Sequence, residues 1–322
     1  MTVQSALRVG GLALGLVVVF AAAYAVGQAA DPQTTVDDDG SEHATTGRGT
    51  MSGPHDAHGG GQAEQAVVPA GLQVSADGYT LVPVSVPSRA GEEQRLALRI
   101  LGPGGAAVTE FETAHEKELH LIVVRRDLSG FQHVHPTMSP DGTWSLPFTF
   151  PGAGSYRMFA DFVPAGADDG LTLGSDVNVA GDFRPVRLPA SSGAAEVGGY
   201  DVALEGELVA GTSSMLTLTV SKAGKLVTDL EPYLAAYGHL VALRDGDLAY
   251  LHVHPEGAPG DRRTDPGPEV AFSAEVPSTG DYRLFFDFRH GDVVRTAEFT
   301  ATASTTADSA AEAGHGYESE EG

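Results

Sequence analysis

HLIVVRRDLSGFQHVHP, residues 120–136, returns as HLVALRDGDLAYLHVHP at residues 239–255. Three histidines and a proline recur at one offset: His120 with His239, His133 with His252, His135 with His254, and Pro136 with Pro255. A second signature follows each, GSYRMFADF from Gly154 and GDYRLFFDF from Gly280. Two signatures repeated in the same order mark a tandem duplication, and the repeat sets the domain plan. Within each copy, short runs with period-two alternation are parted by Gly, Pro and Asp turns, with no convincing amphipathic helix. The predicted strands are 79–86, 95–101, 119–125, 144–150, 156–163 and 176–179, then 200–204, 215–220, 240–243, 248–253, 270–276, 282–288 and 293–300. This pattern predicts an all-β chain of two tandem immunoglobulin-like β-sandwiches, residues 66–190 and 191–300, joined by a small, polar hinge over 189–199. The Gly-x-Tyr step at Tyr156 and Tyr282 looks like the tyrosine corner of such sandwiches. Alternation then puts Tyr156, Met158, Ala160 and Phe162 on one face and Arg157, Phe159 and Asp161 on the other, with the same split around Tyr282.

The histidines share a face by the same logic. His133 and His135 are separated by one residue, so on a strand they point the same way, about 7 Å apart. In the second copy Asp245-Gly246-Asp247 is a tight-turn signal. Centring the turn on Asp245-Gly246 sets His239 opposite His252, and centring it on Gly246-Asp247 sets His239 opposite His254. Either register leaves all three imidazoles on one face, since only a one-residue slip reverses a strand. A loop around Asp127-Leu128 does the same for His120, His133 and His135. Three converging imidazoles can chelate a borderline ion such as copper or zinc. The competing reading is a packed, hydrogen-bonded histidine with no ligand role. The expected sites are therefore His120/His133/His135 and His239/His252/His254, with Asp161 and Asp287 as orienting carboxylates. His115, Glu116, Glu118, Met138 and Met158 are first-copy additions around the first site, and His290 is a candidate fourth ligand for the second. Because only neutral imidazoles bind, affinity is expected to fall below about pH 6.5.

Composition narrows the chemistry. Among 322 residues, 43 acidic against 19 basic give a net charge of −24, which repels nucleic-acid phosphates and attracts cations. There is no cysteine, so disulfides, zinc-thiolate sites and thiol catalysis are excluded. After Arg8 an uncharged apolar run covers 9–26, at the border between a signal-peptide core and a spanning helix. Residues 1–27 thus read as an anchor or signal segment. Arg8 before the run and acidic residues after it put the C-terminal bulk outside, single-pass, or secreted if Gly27-Gln28-Ala29 is cleaved. Residues 28–65 and 301–322 read as an acidic disordered linker and tail. Met51, His55, Asp56 and His58 in the linker are the kind of residues such tracts collect by chance.

Several catalytic motifs fail. HEKELH at 115–120 has one residue too many for HExxH, which needs its histidines one helical turn apart. GFQHVHP resembles the GFHxH of copper-zinc superoxide dismutases, but Gln132 is inserted and the later bridging residues and disulfide are missing. The cupin pattern lacks its Glu and second Gly-rich element. With no GxSxG, no P-loop and no nucleophile beside a base, the chain is not expected to be an enzyme.

EPYLAAYGHLVALRDGDLAYLHVHP followed by GDYRLFFDF resembles a family of exported bacterial tandem immunoglobulin-like proteins with repeated HxHP motifs. Their sandwiches are similar in type to CopC- and YtkA-like domains. The resemblance covers both repeats and implies copper or other heavy-metal handling outside the cytoplasm. CopC-type ligands do not transfer, because their N-terminal amine and Asp-x-His pattern have no counterpart here. The expected function is membrane-anchored, extracytoplasmic binding or buffering of copper or zinc beside a membrane metal transporter. An adhesive or scaffolding immunoglobulin-like protein with structural histidines is the alternative, and a metal-dependent redox enzyme a weaker one.

Overall fold

The computed structural model describes residues 68–305, Asp168 and His252 excepted. The expected anchor, linker and tail lie outside the described residues, apart from 301–305. Both repeats fold as β-sandwiches, and no helix occurs among the described residues. In the first, one sheet has the order Ser75–Ala76, Tyr79–Ser85, Gln94–Leu101, Thr143–Phe148, Thr137–Met138. The facing sheet runs Leu171–Val179, Gly154–Pro164, His120–Arg125, Gln132–Val134. The second sandwich repeats this with Ala194–Val197, Tyr200–Glu205, Ser213–Lys222, Glu269–Glu275, Val253–Pro255 against Leu208–Val209, Val293–Ser304, Gly280–His290, His239–Arg244, Tyr250–Leu251.

Both tyrosine corners form. Tyr156 Oη donates to Gly152 O at 2.8 Å and Tyr282 Oη to Ser278 O at 2.9 Å. Alternation holds along the corner strands: Tyr156, Met158, Ala160 and Phe162 enter the first core, and Tyr282, Leu284, Phe286 and Phe288 the second. The opposite face is not wet. Ile122, Val124, Leu128 and Phe159 of the first sandwich pack with Val241, Leu243, Leu248 and Phe285 of the second in a third buried cluster. Phe131 stacks on Phe285 with centroids 3.9 Å apart, and Tyr250 meets Phe159 at 5.6 Å. Phe131 and Tyr250 are repeat equivalents, as are Phe159 and Phe285, so the two contacts are mates in a pseudo-two-fold joint.

Three expectations change. The hinge is partly strand: Ala194–Val197 pairs with Tyr200–Glu205 around Gly198-Gly199, whose φ angles of 56° and 80° make a tight two-residue turn. The last strand runs on to Ser304, because Leu208–Val209 pairs in parallel with Ala303 and Ser304. The expected strand over 248–253 is split, since Tyr250–Leu251 stays beside His239–Arg244 while Val253–Pro255 crosses to Glu269–Glu275.

A short strap also ties the two sandwiches. Tyr250 N donates to Ala70 O, and Arg157 donates from Nε and Nη2 to Gly71 O at 2.9 and 2.6 Å. A Cβ on Gly174 would fall 2.0 Å from Gly71 O and 2.6 Å from Arg157 Nη2. Gly174→Ala is therefore expected to destabilise the protein by about 1–3 kcal/mol through overpacking. The check is a lowered denaturant midpoint with the slope unchanged.

Candidate metal centre

His120 opens the strand His120–Arg125, and the hairpin register pairs Leu121 with Val134, Ile122 with His133 and Val123 with Gln132. Continued by one step, it faces His120 with His135, so the trio shares one side. The matching register in the second copy pairs Ala242 with Leu251 and Leu243 with Tyr250, which centres the turn on Gly246-Asp247. His252 lies outside the described residues.

The first trio converges closely. His120 Nδ1 is 3.1 Å from His133 Nε2 and 3.2 Å from His135 Nε2. Two ligands on a tetrahedral ion with metal–nitrogen bonds of about 2.0–2.1 Å sit about 3.3–3.4 Å apart. The other ring nitrogens are fixed from outside. His120 Nε2 is 3.0 Å from Ala114 O, a carbonyl that can only accept, so Nε2 carries the hydrogen and Nδ1 is bare. His133 Nδ1 is 3.0 Å from Asp287 Oδ2, and a carboxylate likewise only accepts, so Nδ1 carries a hydrogen and Nε2 is the nitrogen turned to His120. With His133 neutral, two lone pairs face each other at 3.1 Å. Such a contact is repulsive until a cation lies between them.

Asp287 belongs to the second sandwich, so the first site is completed across the joint. The two side chains are buried, 5% and 4% exposed. Thr296 Oγ1 holds the second carboxylate oxygen at 2.5 Å. A carboxylate that accepts from a ligating imidazole fixes its tautomer and raises its basicity. Asp287→Asn is expected to weaken metal binding by about 10–100-fold. The check is a competition titration, with the melting temperature of the metal-free protein as control.

Burial, then the carbonyl of Ala114 acting the other way, leaves His120 lowered to about 3. Burial and the neighbouring imidazoles lower His135 to about 3, and burial lowers His239 to about 4. These groups are neutral when folded and protonated at about 6.5 when unfolded, so the unfolded chain binds more protons. Stability is therefore fully present above about pH 6.5 and lost as pH falls toward the folded values. Each of the three contributes up to about 1.4 kcal/mol per pH unit in that window. The same burial bears on the expectation that metal affinity falls below about pH 6.5. His120 and His135 stay neutral at pH 5, so log Kd should change less steeply between pH 7 and 5 than it would for three ordinary imidazoles. Three ordinary imidazoles would approach three per unit.

The remaining candidates are placed as follows. Met158 is fully buried in the first core and Met138 packs against it, so neither joins the trio. His290 lies between Tyr200 Oη at 2.7 Å and Asp229 Oδ1 at 3.2 Å, and serves the second sandwich's own packing. HEKELH forms a tight turn in which Ala114 and Lys117 exchange backbone hydrogen bonds, with positive φ at His115 and Glu116. Its repeat equivalent, Leu234 and Ala235, has the same conformation. Both turns aim a carbonyl at the first histidine of the trio, which sequence reasoning missed; the signal was their equal spacing before His120 and His239. Tyr233 was also missed, 6.5 Å by ring centroid from His135 and 6.1 Å from His239.

No curated protein matches the chain in sequence. Among solved structures, the Escherichia coli adhesin FdeC is 12% identical, with 71% of this chain and 65% of that one covered and a TM-score of 0.23. The Yersinia pseudotuberculosis adhesin InvE is 13% identical, covering 73% and 61%, with a TM-score of 0.21. A protein from Corynebacterium diphtheriae is 10% identical, covering 72% and 58%, also with a TM-score of 0.21. The chain spans less than two thirds of each, and these likenesses concern the sandwich fold alone. The sequence profile of the domain of unknown function DUF8832 matches twice, over 73–179 and 195–305, the two halves of the duplication. The chain belongs to the DUF8832 family and carries two of its domains, joined face to face around a histidine cluster.

Proposed function

We propose that the protein is an exported pair of immunoglobulin-like sandwiches whose joint binds a copper or zinc ion through His120, His133 and His135. One observation carries this reading: ring nitrogens of His120 and His133, oriented by Ala114 O and Asp287, meet at 3.1 Å with His135 beside them. The net charge of −24 would gather cations around such a site. Three neutral nitrogens suit copper in either common oxidation state as well as zinc. Binding or buffering beside a membrane metal transporter, with the chain held by residues 1–27, is the role we assign. No helix among the described residues is long and apolar enough to cross a membrane, and the apolar run 9–26 lies outside them.

The second reading is an adhesive or scaffolding role with structural histidines, and adhesin is the word used of two similar solved folds. Burial of the trio and its backbone and carboxylate partners favours it. Titration of the full chain with Cu(II), Cu(I) under reductant and Zn(II), followed by melting temperature, separates the two. The metal reading expects a raised melting temperature that disappears when His133 and His135 are both changed to Ala. The scaffold reading expects that variant to melt lower, and the wild type to be indifferent to metal.

A further inference from the structure

The trio lies on the outer face of its own sandwich, where the second sandwich meets it. Along His120–Arg125, Leu121 and Val123 enter the first core, while Ile122 and Val124 pack in the cluster between the sandwiches. Alternation puts His120 on the Ile122 face. His133 pairs with Ile122, and residues directly opposite in a sheet share a face, so His133 and His135 stand on the same side. The second sandwich is laid out alike. Leu240 and Ala242 enter its core, while Val241 and Leu243 face the joint in line with His239. The candidate ligands therefore continue the interface that Phe131 and Phe285 build with their stack.

All three ligands come from the first sandwich, yet the groups set against them come from the second. Asp287 Oδ2 reaches His133 Nδ1 at 3.0 Å, with both side chains buried. The ring of His239 stands 6.4 Å from that of His133, and the ring of Tyr233 stands 6.5 Å from that of His135. Parting the joint would take the carboxylate from His133 and turn the trio toward water. A carboxylate behind a ligating imidazole is worth about 10–100-fold in metal affinity. Linkage makes that factor reciprocal, so whatever the closed joint adds to affinity, a bound ion adds to closure.

We propose that the second sandwich is the gate of the metal site: the ion enters and leaves when the joint opens, and a bound ion holds the joint shut. The inference rests on the reading of the trio as a metal site. It assigns the two halves of the duplication unequal roles, the first supplying ligands and the second closing over them. The differential contact that such coupling requires is the bond from His133 to Asp287, made only when the sandwiches are together.

The test loads the full chain with Zn(II) or Cu(II) and follows transfer of the ion to an excess of chelator. Leu248 is fully buried in the joint, in the turn at the far end of the strand that His239 opens. Leu248→Ala is expected to speed release by at least about tenfold, because it raises the population of the open joint without touching a ligand. Leu218→Ala removes the same side chain from the second sandwich's own core and should leave release at the wild-type rate. Val241→Ala makes a smaller cavity in the joint and keeps the question decidable if Leu248→Ala does not fold. Release unchanged by both joint variants, or speeded as much by Leu218→Ala, would overturn the gate and leave the metal reading standing. No uptake by the wild type would overturn both.

Discussion

Phe285→Ala is expected to cost about 3–5 kcal/mol and to split unfolding of the metal-free protein into two transitions. Phe285 is fully buried but points away from its own sandwich's core, into the joint. There it stacks on Phe131, 3.9 Å away and nearly parallel. Truncation removes that contact and leaves a cavity among Ile122, Val124, Val241 and Leu243, which the two stiff sheets cannot close. The cores of the sandwiches, around Tyr156 and Tyr282, are untouched. Calorimetry decides it: one endotherm at the wild-type temperature would mean that the joint contributes little to cooperativity.

His120→Ala is expected to weaken binding at the first site by at least about a hundredfold. Structural zinc sites of four ligands are worth about 10–16 kcal/mol in all, so one ligand carries several. His120 also has the central place, since its Nδ1 contacts both other nitrogens. The turn that fixes Nε2 is built from backbone and persists without the side chain. The comparison is metal affinity against metal-free melting temperature. Large loss of affinity with a small change in melting temperature supports a ligand, and the reverse pattern supports a structural histidine.

Much of this was legible in the sequence because duplication repeats it. The tyrosine corners, the strand alternation and the common face of the trio all follow from period two and the spacing of His133 and His135. The joint was harder to see. HLIVVR and HLVALR are nearly unbroken apolar runs, the mark of strands buried on both faces, and only one face of each is used by its own sandwich. Phe159 and Phe285, on the outer side of the corner strands, carried the same message. Without the joint, Asp287 could not be matched to His133, 154 residues away. His115 was grouped with its sequence neighbour His120, whereas the pseudo-two-fold turns it toward His239. The low protonation range of His120 and His135 was hidden for the same reason, since it comes from burial in the folded pair of sandwiches.

The most direct test of the central claim is X-ray absorption at the metal edge on the full chain loaded with one equivalent of copper or zinc. Three imidazole nitrogens at about 2.0–2.1 Å are predicted. A shell of oxygen ligands, unchanged when His120, His133 and His135 are replaced, would contradict it.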